Sequence, residues 1–192
     1  MEIGLNKILL LGYSRIAKKR VIPALEQIDS CTSIEIASVS QVPPLAGKIQ
    51  RIHKSYEQAL KSFDGDFVYI SLPNYMHDHY FKIAVELGYS CIVDKPAVLE
   101  GKTIEYLALK QPQDNQIFAE SAVFMAHPAW SQLIQEVGGS ESINSVSGFF
   151  TMPALHQKDF RMQPEPGGGA AFEYSIFFFL SFIFSHSKIR RN

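Results

Sequence analysis

The chain has 192 residues, of which 46% are hydrophobic and 19% charged, with 18 Lys+Arg against 19 Asp+Glu for a formal net charge of −1. That length buries one good core and begins a second, and the composition is that of an ordinary soluble protein. So even a charge balance supplies no general electrostatic drive toward nucleic acid or an anionic membrane surface. The two cysteines, Cys31 and Cys91, stand alone near or in apolar runs. They read as buried free thiols of a reducing, cytoplasmic compartment rather than a bridge or a metal pair. The opening MEIGLNKILLL lacks the basic start and cleavage region of a signal peptide. Near the other end, the apolar run from Ile176 to Phe184 is well short of a bilayer span. The expectation is no membrane and no nucleic acid.

Lys7 to Leu11 is an apolar run of buried-strand length, followed at once by Gly12-Tyr13-Ser14-Arg15-Ile16-Ala17. This predicts a strand, a tight turn and a helix that lays Ile16, Val21, Ala24 and Leu25 on a sheet, with Pro23 as a bend or early stop. Ile34 to Val39 gives a second strand, and Ser40 to Gly47 a loop. Lys48 to Ile52 reads as a short strand. Ser55 then opens a helix to about Lys61, with Gln58 placed for a capping box. A buried strand over Asp66–Ser71 leads into a polar turn with Pro73, Asn74 and His77. A helix follows with Tyr80, Ile83, Ala84 and Leu87 on its apolar face, ended by Gly88. Cys91 to Val93 is a buried strand that runs into Asp94-Lys95-Pro96. A helix from about Glu100 to Leu109 and a sixth strand over Gln116–Ala119 close a first domain near residue 120.

Strands alternating with helices predict an α/β fold, a doubly wound parallel sheet with right-handed crossovers. Residues 121–192 read as a second, incomplete α+β domain. It has a helix opened by Pro128 and ended at Gly138-Gly139, and a strand over Ser142–Met152.

Four stretches carry the chemistry. Gly12-x-Ser14-x-x-Ala17 follows a strand and opens a helix, as a dinucleotide-binding loop does. Alanine is an accepted third member; serine at the second narrows the approach of a pyrophosphate but brings a hydroxyl able to donate to it. A purely structural strand–helix turn is the alternative. The second strand ends Ser38-Val39-Ser40-Gln41 with no carboxylate for ribose hydroxyls. Ser40 and Gln41 offer hydroxyl and amide contacts instead, and NAD and NADP stand as equal alternatives. Ser71, Leu72, Pro73, Asn74 and His77 form a turn at a strand's carboxyl end, read either as a helix cap or as one edge of a nicotinamide pocket. Lys95, between Asp94 and Pro96 at the next strand's end, reads either as an ordinary surface lysine of a loop or as a group placed to exchange a proton with a substrate hydroxyl. The histidines lack metal-site spacing, and no G-x-S-x-G elbow occurs.

Taken in order, these pieces resemble the glucose–fructose oxidoreductase / inositol dehydrogenase family of NAD(P)-dependent oxidoreductases. Gly12 to Ala17 matches its G-x-G-x-I-A loop with Ser14 as the departure. Tyr69 to Asn74 with His77 matches its proline turn, and Asp94-Lys95-Pro96 its E-K-P signature with Asp for Glu. The resemblance implies a cofactor, NAD or NADP, held by Gly12, Tyr13, Ser14, Arg15, Ile16, Ser40, Ser71, Leu72, Pro73, Asn74, His77, Asp94 and Lys95. It implies Lys95 as the catalytic group and a sugar, inositol or sugar-nucleotide substrate oxidised or reduced at a secondary carbon. Gly167-Gly168-Gly169 matches a further family segment, in which Glu173 stands for an aspartate that completes the substrate site and Phe177 for a histidine. Members are considerably longer, so the likeness also implies a truncated second domain and a weakened homo-oligomer contact. A catalytically inactive remnant, which binds the cofactor or serves only as a partner protein, stands as the alternative function.

Overall fold

The computed structural model describes residues 6–139 apart from 42, 66 and 111–115, with isolated residues and short runs between 142 and 162. The chain divides into two compact units, Met1–Ser121 and Ala122–Asn192. Asp66, Gly167–Gly169, Glu173, Ser175, Phe177 and the run 176–184 lie outside the described residues, as does most of the strand expected over 142–152.

The first unit is one sheet of six parallel strands: β1 Lys7–Leu11, β2 Ser33–Ala37, β3 Ile49–His53, β4 Phe67–Ile70, β5 Ser90–Val93 and β6 Phe118–Glu120. Their order is β3-β2-β1-β4-β5-β6. The chain therefore builds outward from β1 in one direction, returns, and builds outward from β4 in the other. β1 and β4 are the central pair, and the crevice beyond their carboxyl ends is the switch point at which doubly wound sheets take ligands. β1 is apolar on both faces because both are covered. Leu9 and Leu11 enter one core layer and Ile8 and Leu10 the other, all nearly fully buried. Each such side chain contributes about 1.5–3 kcal/mol relative to exposure.

The helices follow the expected order, with informative departures in phase. A π-helical turn over Ala17–Val21 precedes α1 (Ile22–Glu26), and Ile22 N–H reaches back five residues to Ala17 O. Pro23 accounts for the widening: it has no N–H to return to Lys19, and its ring crowds that carbonyl. Ala17, Val21, Leu25 and Ile28 pack on the core, whereas Ile16 and Ala24, expected there, are exposed.

In α2 (Tyr56–Ser62) the Ser55 hydroxyl accepts Gln58 N–H at 3.2 Å, the expected capping arm. α3 (His77–Glu86) buries His77, Tyr80, Phe81, Ala84 and Val85. Leu87, expected on that face, falls past the last packed turn and is exposed. Gly88 at φ +87 then ends the helix, with Tyr89 N–H on Ala84 O and Gly88 N–H on Val85 O, both at 3.0 Å. α4 (Gly101–Leu109) is pinned to α3 through Asp78, whose carboxylate takes Leu99 N–H at 2.8 Å and Glu100 N–H at 3.3 Å.

In the second unit α5 (Pro128–Glu136) has its first turn capped by His127, whose Nδ1 accepts Ala129 N–H at 3.2 Å. Phe124 lies edge-on to Trp130 with ring centroids 5.6 Å apart. Among the described residues no helix is long and apolar enough to cross a membrane. No cluster of His, Cys, Asp and Glu among them has the arrangement of a metal site.

Candidate functional site

β1 delivers Gly12 to the crevice in a conformation that side chains avoid, φ +101. Its N–H bonds Ala37 O of β2 at 2.9 Å, and a Cβ built on it would stand 2.3 Å from Ser71 O at the end of β4. Glycine is required here because the neighbouring strand end occupies the space. Ser14 then caps the helix: its Oγ accepts Ala17 N–H at 3.0 Å. The N–H groups of Arg15 and Ile16, one and two positions into the helix, have no intrahelical acceptor by the geometry of a first turn. Both residues are exposed, and first-turn N–H groups without an intrahelical acceptor are the kind that favour an anion.

From Ser14 a chain of hydroxyls crosses the sheet. Ser14 Oγ lies 2.7 Å from Ser71 Oγ, and Ser71 donates to Asp94 Oδ2 at 2.6 Å. The other Asp94 oxygen takes the Tyr69 proton at 2.6 Å, and Ser121 Oγ lies 3.3 Å from the same phenol oxygen. Proton counting fixes the direction. Ser71 spends its one proton on the carboxylate, so Ser14 must donate to Ser71 while accepting from Ala17 N–H. The hydroxyl that the sequence offered to a phosphate is thus engaged at both its donor and acceptor sides. Distances of 2.6 Å are those of hydroxyls on a carboxylate, about twice as strong as neutral pairs. Burial, then the Asp94 charge, pushes the Tyr69 phenol well above its ordinary value, so it remains a donor.

Asp94 therefore faces the β4 strand end, and this is how the acid beside Lys95 is occupied. Asp94→Ala would strand the Ser71 hydroxyl, which is 2% exposed, together with the Tyr69 phenol. The expected loss is about 2–3 kcal/mol, measured as a lowered denaturant midpoint. Asp94→Asn should recover part of it, because one amide oxygen still accepts; a loss under about 0.5 kcal/mol for the alanine variant would contradict the role assigned to these bonds.

Lys95 lies two residues past the end of β5 and is half-buried, with the Lys95–Pro96 peptide cis. Two clasps hold its turn. Ala97 N–H bonds Glu120 Oε1 at 2.8 Å, and Pro96 O lies 2.7 Å from His77 Nδ1. The other ring nitrogen of His77 lies 2.8 Å from Leu72 O, and the ring is fully buried. His77 thus ties the proline turn after β4 to the lysine turn after β5, with both ring nitrogens directed to backbone carbonyls. Asn74 is also buried, at 4% exposure, while Leu72 packs in the core layer shared with α2 and α3.

At the other end, Ser38 is buried and its Oγ accepts Gln41 N–H at 3.3 Å, leaving Ser40 and Gln41 exposed beyond β2. The next cations along the chain, Lys48 and Arg51, are engaged with other groups. Lys48 Nζ donates to Leu25 O and Ile28 O past the end of α1, and Arg51 faces Glu35, which also meets His53 at 2.6 Å.

The structure thus brings Gly12, Ser14, Ser71, Asp94 and the turn bearing Lys95 together at the central strand ends. Ser40 lies beyond β2, and Glu173 is outside the described residues. Tyr69 and Glu120 organise the site and were not picked out from the sequence. Their signals are a hydroxyl on an otherwise apolar strand and an acid at the last residue of an edge strand.

No family model matches the chain. It is 26% identical over 174 residues to an uncharacterised oxidoreductase of Rhizobium meliloti, covering 88% of this chain and 52% of that one. It is 25% identical over 174 residues to the dTDP-3,4-didehydro-2,6-dideoxy-α-D-glucose 3-reductase of Actinomadura kijaniata, again 88% of this chain and 52% of the other. The chain thus spans about half the length of the curated relatives it matches. A 3-ketoreductase of A. kijaniata in complex with NADP and TDP-benzene superposes with a TM-score of 0.73 at 24% identity, over 90% of this chain and 55% of that one. For the scyllo-inositol dehydrogenase of Lactobacillus casei with bound NAD(H) and scyllo-inositol the TM-score is 0.60 at 18% identity, over 69% and 41%. At these identities the two solved structures share the fold with this chain. Sequence likeness across most of its residues, together with this strand order, gives the chain its resemblance to the glucose–fructose oxidoreductase / inositol dehydrogenase family of NAD(P)-dependent oxidoreductases.

Proposed function

We propose that this chain forms the cofactor-binding part of an NAD(P)-dependent oxidoreductase that acts at a secondary hydroxyl or keto carbon of a sugar, inositol or sugar nucleotide. The observation that carries the reading is the meeting of three turns at one switch point: the Gly12 turn after β1, the Pro73 turn after β4 and the Lys95 turn after β5. In this reading the pyrophosphate rests on the Arg15 and Ile16 N–H groups at the start of the first helix. Ser71, Leu72, Pro73 and Asn74 line the side toward the nicotinamide, and the buried His77 acts by holding their turn against that of Lys95. Bound nicotinamide supplies the hydride acceptor or donor. Lys95 Nζ gives a proton to the substrate oxygen on reduction and takes it on oxidation, so no charge is left on that oxygen. Glu173 is a second proton-handling candidate. Calorimetric titration with NADPH and NADH tests the reading, with micromolar binding of at least one expected; binding of neither would overturn it.

A further inference from the structure

The loop after β1, the first helix and the loop after β2 converge on one side chain. Lys18 Nζ donates to Gln41 Oε1 at 2.8 Å and lies 5.0 Å from the centroid of the Tyr13 ring. An amide and an aromatic face hold the ammonium in place without neutralising it. Carboxylates are missing from the surrounding sequence as well: residues 3–25 and 36–56 contain no Asp or Glu, while Arg15, Lys18, Lys19 and Arg20 all fall within the first stretch. Of the acids that bracket those stretches, three among the described residues are engaged elsewhere. Glu26 accepts Lys48 N–H, Glu35 meets His53 and Arg51, and Glu57 accepts the Tyr80 hydroxyl. Beyond β2 the backbone offers the Ser40 hydroxyl, and the Gln41 amide carries two donors of its own.

A doubly wound sheet that takes a dinucleotide lays the adenosine ribose over the end of β2. A carboxylate there clasps the two ribose hydroxyls and repels a 2′-phosphate; a cation with neutral donors does the reverse. Resting on the cofactor reading above, we infer that this site selects the 2′-phosphorylated dinucleotide, NADP(H) over NAD(H), with Lys18 as the discriminating cation and Gln41 as its holder. Lysine serves as a point charge in this role, and the phosphate displaces Gln41 Oε1 from it while taking an N–H of the same amide. Because the pair is exposed, the preference shrinks as salt is raised.

The test is a set of calorimetric titrations with NADPH and NADH, paired with adenosine 2′,5′-bisphosphate against adenosine 5′-monophosphate, on the wild-type chain and on Lys18→Ala and Lys18→Glu. NADPH is expected to bind about tenfold or more tightly than NADH, with the same order for the two fragments. Lys18→Ala should cut NADPH affinity by most of that factor while leaving NADH affinity within about twofold. Lys18→Glu should prefer NADH. Equal binding of the two cofactors by the wild-type chain, or equal weakening of both by Lys18→Ala, would overturn the selectivity and leave the cofactor reading standing. Binding of neither cofactor would overturn both.

Discussion

Gly12→Ala is expected to cost about 3 kcal/mol or more, since it combines a disfavoured backbone conformation with a clash that has nowhere to relax. The φ of +101 is strained for any side chain, and the added Cβ would stand 2.3 Å from Ser71 O and 2.9 Å from Ser71 C. Those are backbone atoms of β4, whose Ser71 N–H already bonds Leu11 O at 2.8 Å, so they cannot swing aside as a side-chain tip would. Relief requires separating the ends of β1 and β4. That separation would also pull Ser14 from Ser71 and break the hydroxyl chain to Asp94. Urea denaturation should show a lower midpoint with an unchanged slope, and cofactor binding should weaken in step. An alanine variant within about 1 kcal/mol of wild type would mean that the two strand ends part more easily than their bonds imply.

Lys95→Ala is expected to lower turnover about 10²- to 10⁴-fold, the usual contribution of a positioned proton-transfer group, while cofactor affinity changes about threefold or less. The reason for that division lies in the turn. His77 on Pro96 O and Glu120 on Ala97 N–H hold its backbone, and Asp94 faces Tyr69 and Ser71. Truncation at Lys95 therefore removes a proton donor and leaves the walls of the site in place. Lys95→Arg should remain as slow as Lys95→Ala, because a guanidinium does not give up its proton. The measurements are initial rates with a panel of sugars and sugar nucleotides, alongside cofactor titration. Unchanged turnover in the alanine variant would refute the assigned chemistry.

The fold was legible because its signals are repeated and local. The central strands β1, β4 and β5 are short, mostly apolar runs closed by polar turns, and alternation with helices points to a parallel sheet with crossovers. What escaped was phase. Ile16, Ala24 and Leu87 are expected on buried faces, but Ala17, Val21, Leu25 and Ile28 take the packed face of the first helix and Leu87 lies beyond the last packed turn of its own. The chemistry-bearing turns were legible for the same reason as the strands, since they sit where strands end. Their wiring was not. Ser14, Ser71, Asp94 and Tyr69 are separated by up to 80 residues, and no spacing rule states that four polar groups on three strand ends will share protons in one direction. Nor does sequence reveal that Lys18 and Gln41 meet, since that depends on how the first helix leans over the end of β2.

The two buried cysteines have a practical consequence. Cys31 lies in the layer that packs α1 on the sheet, and Cys91 in the opposite layer with α2 and α3. Both thiols are fully enclosed, and burial pushes each above its ordinary value. A thiol in that state resists alkylation until its surroundings open. Each face of the sheet therefore carries its own chemical clock. The relative labelling rates of the two sulfurs register which side of the sheet breathes first.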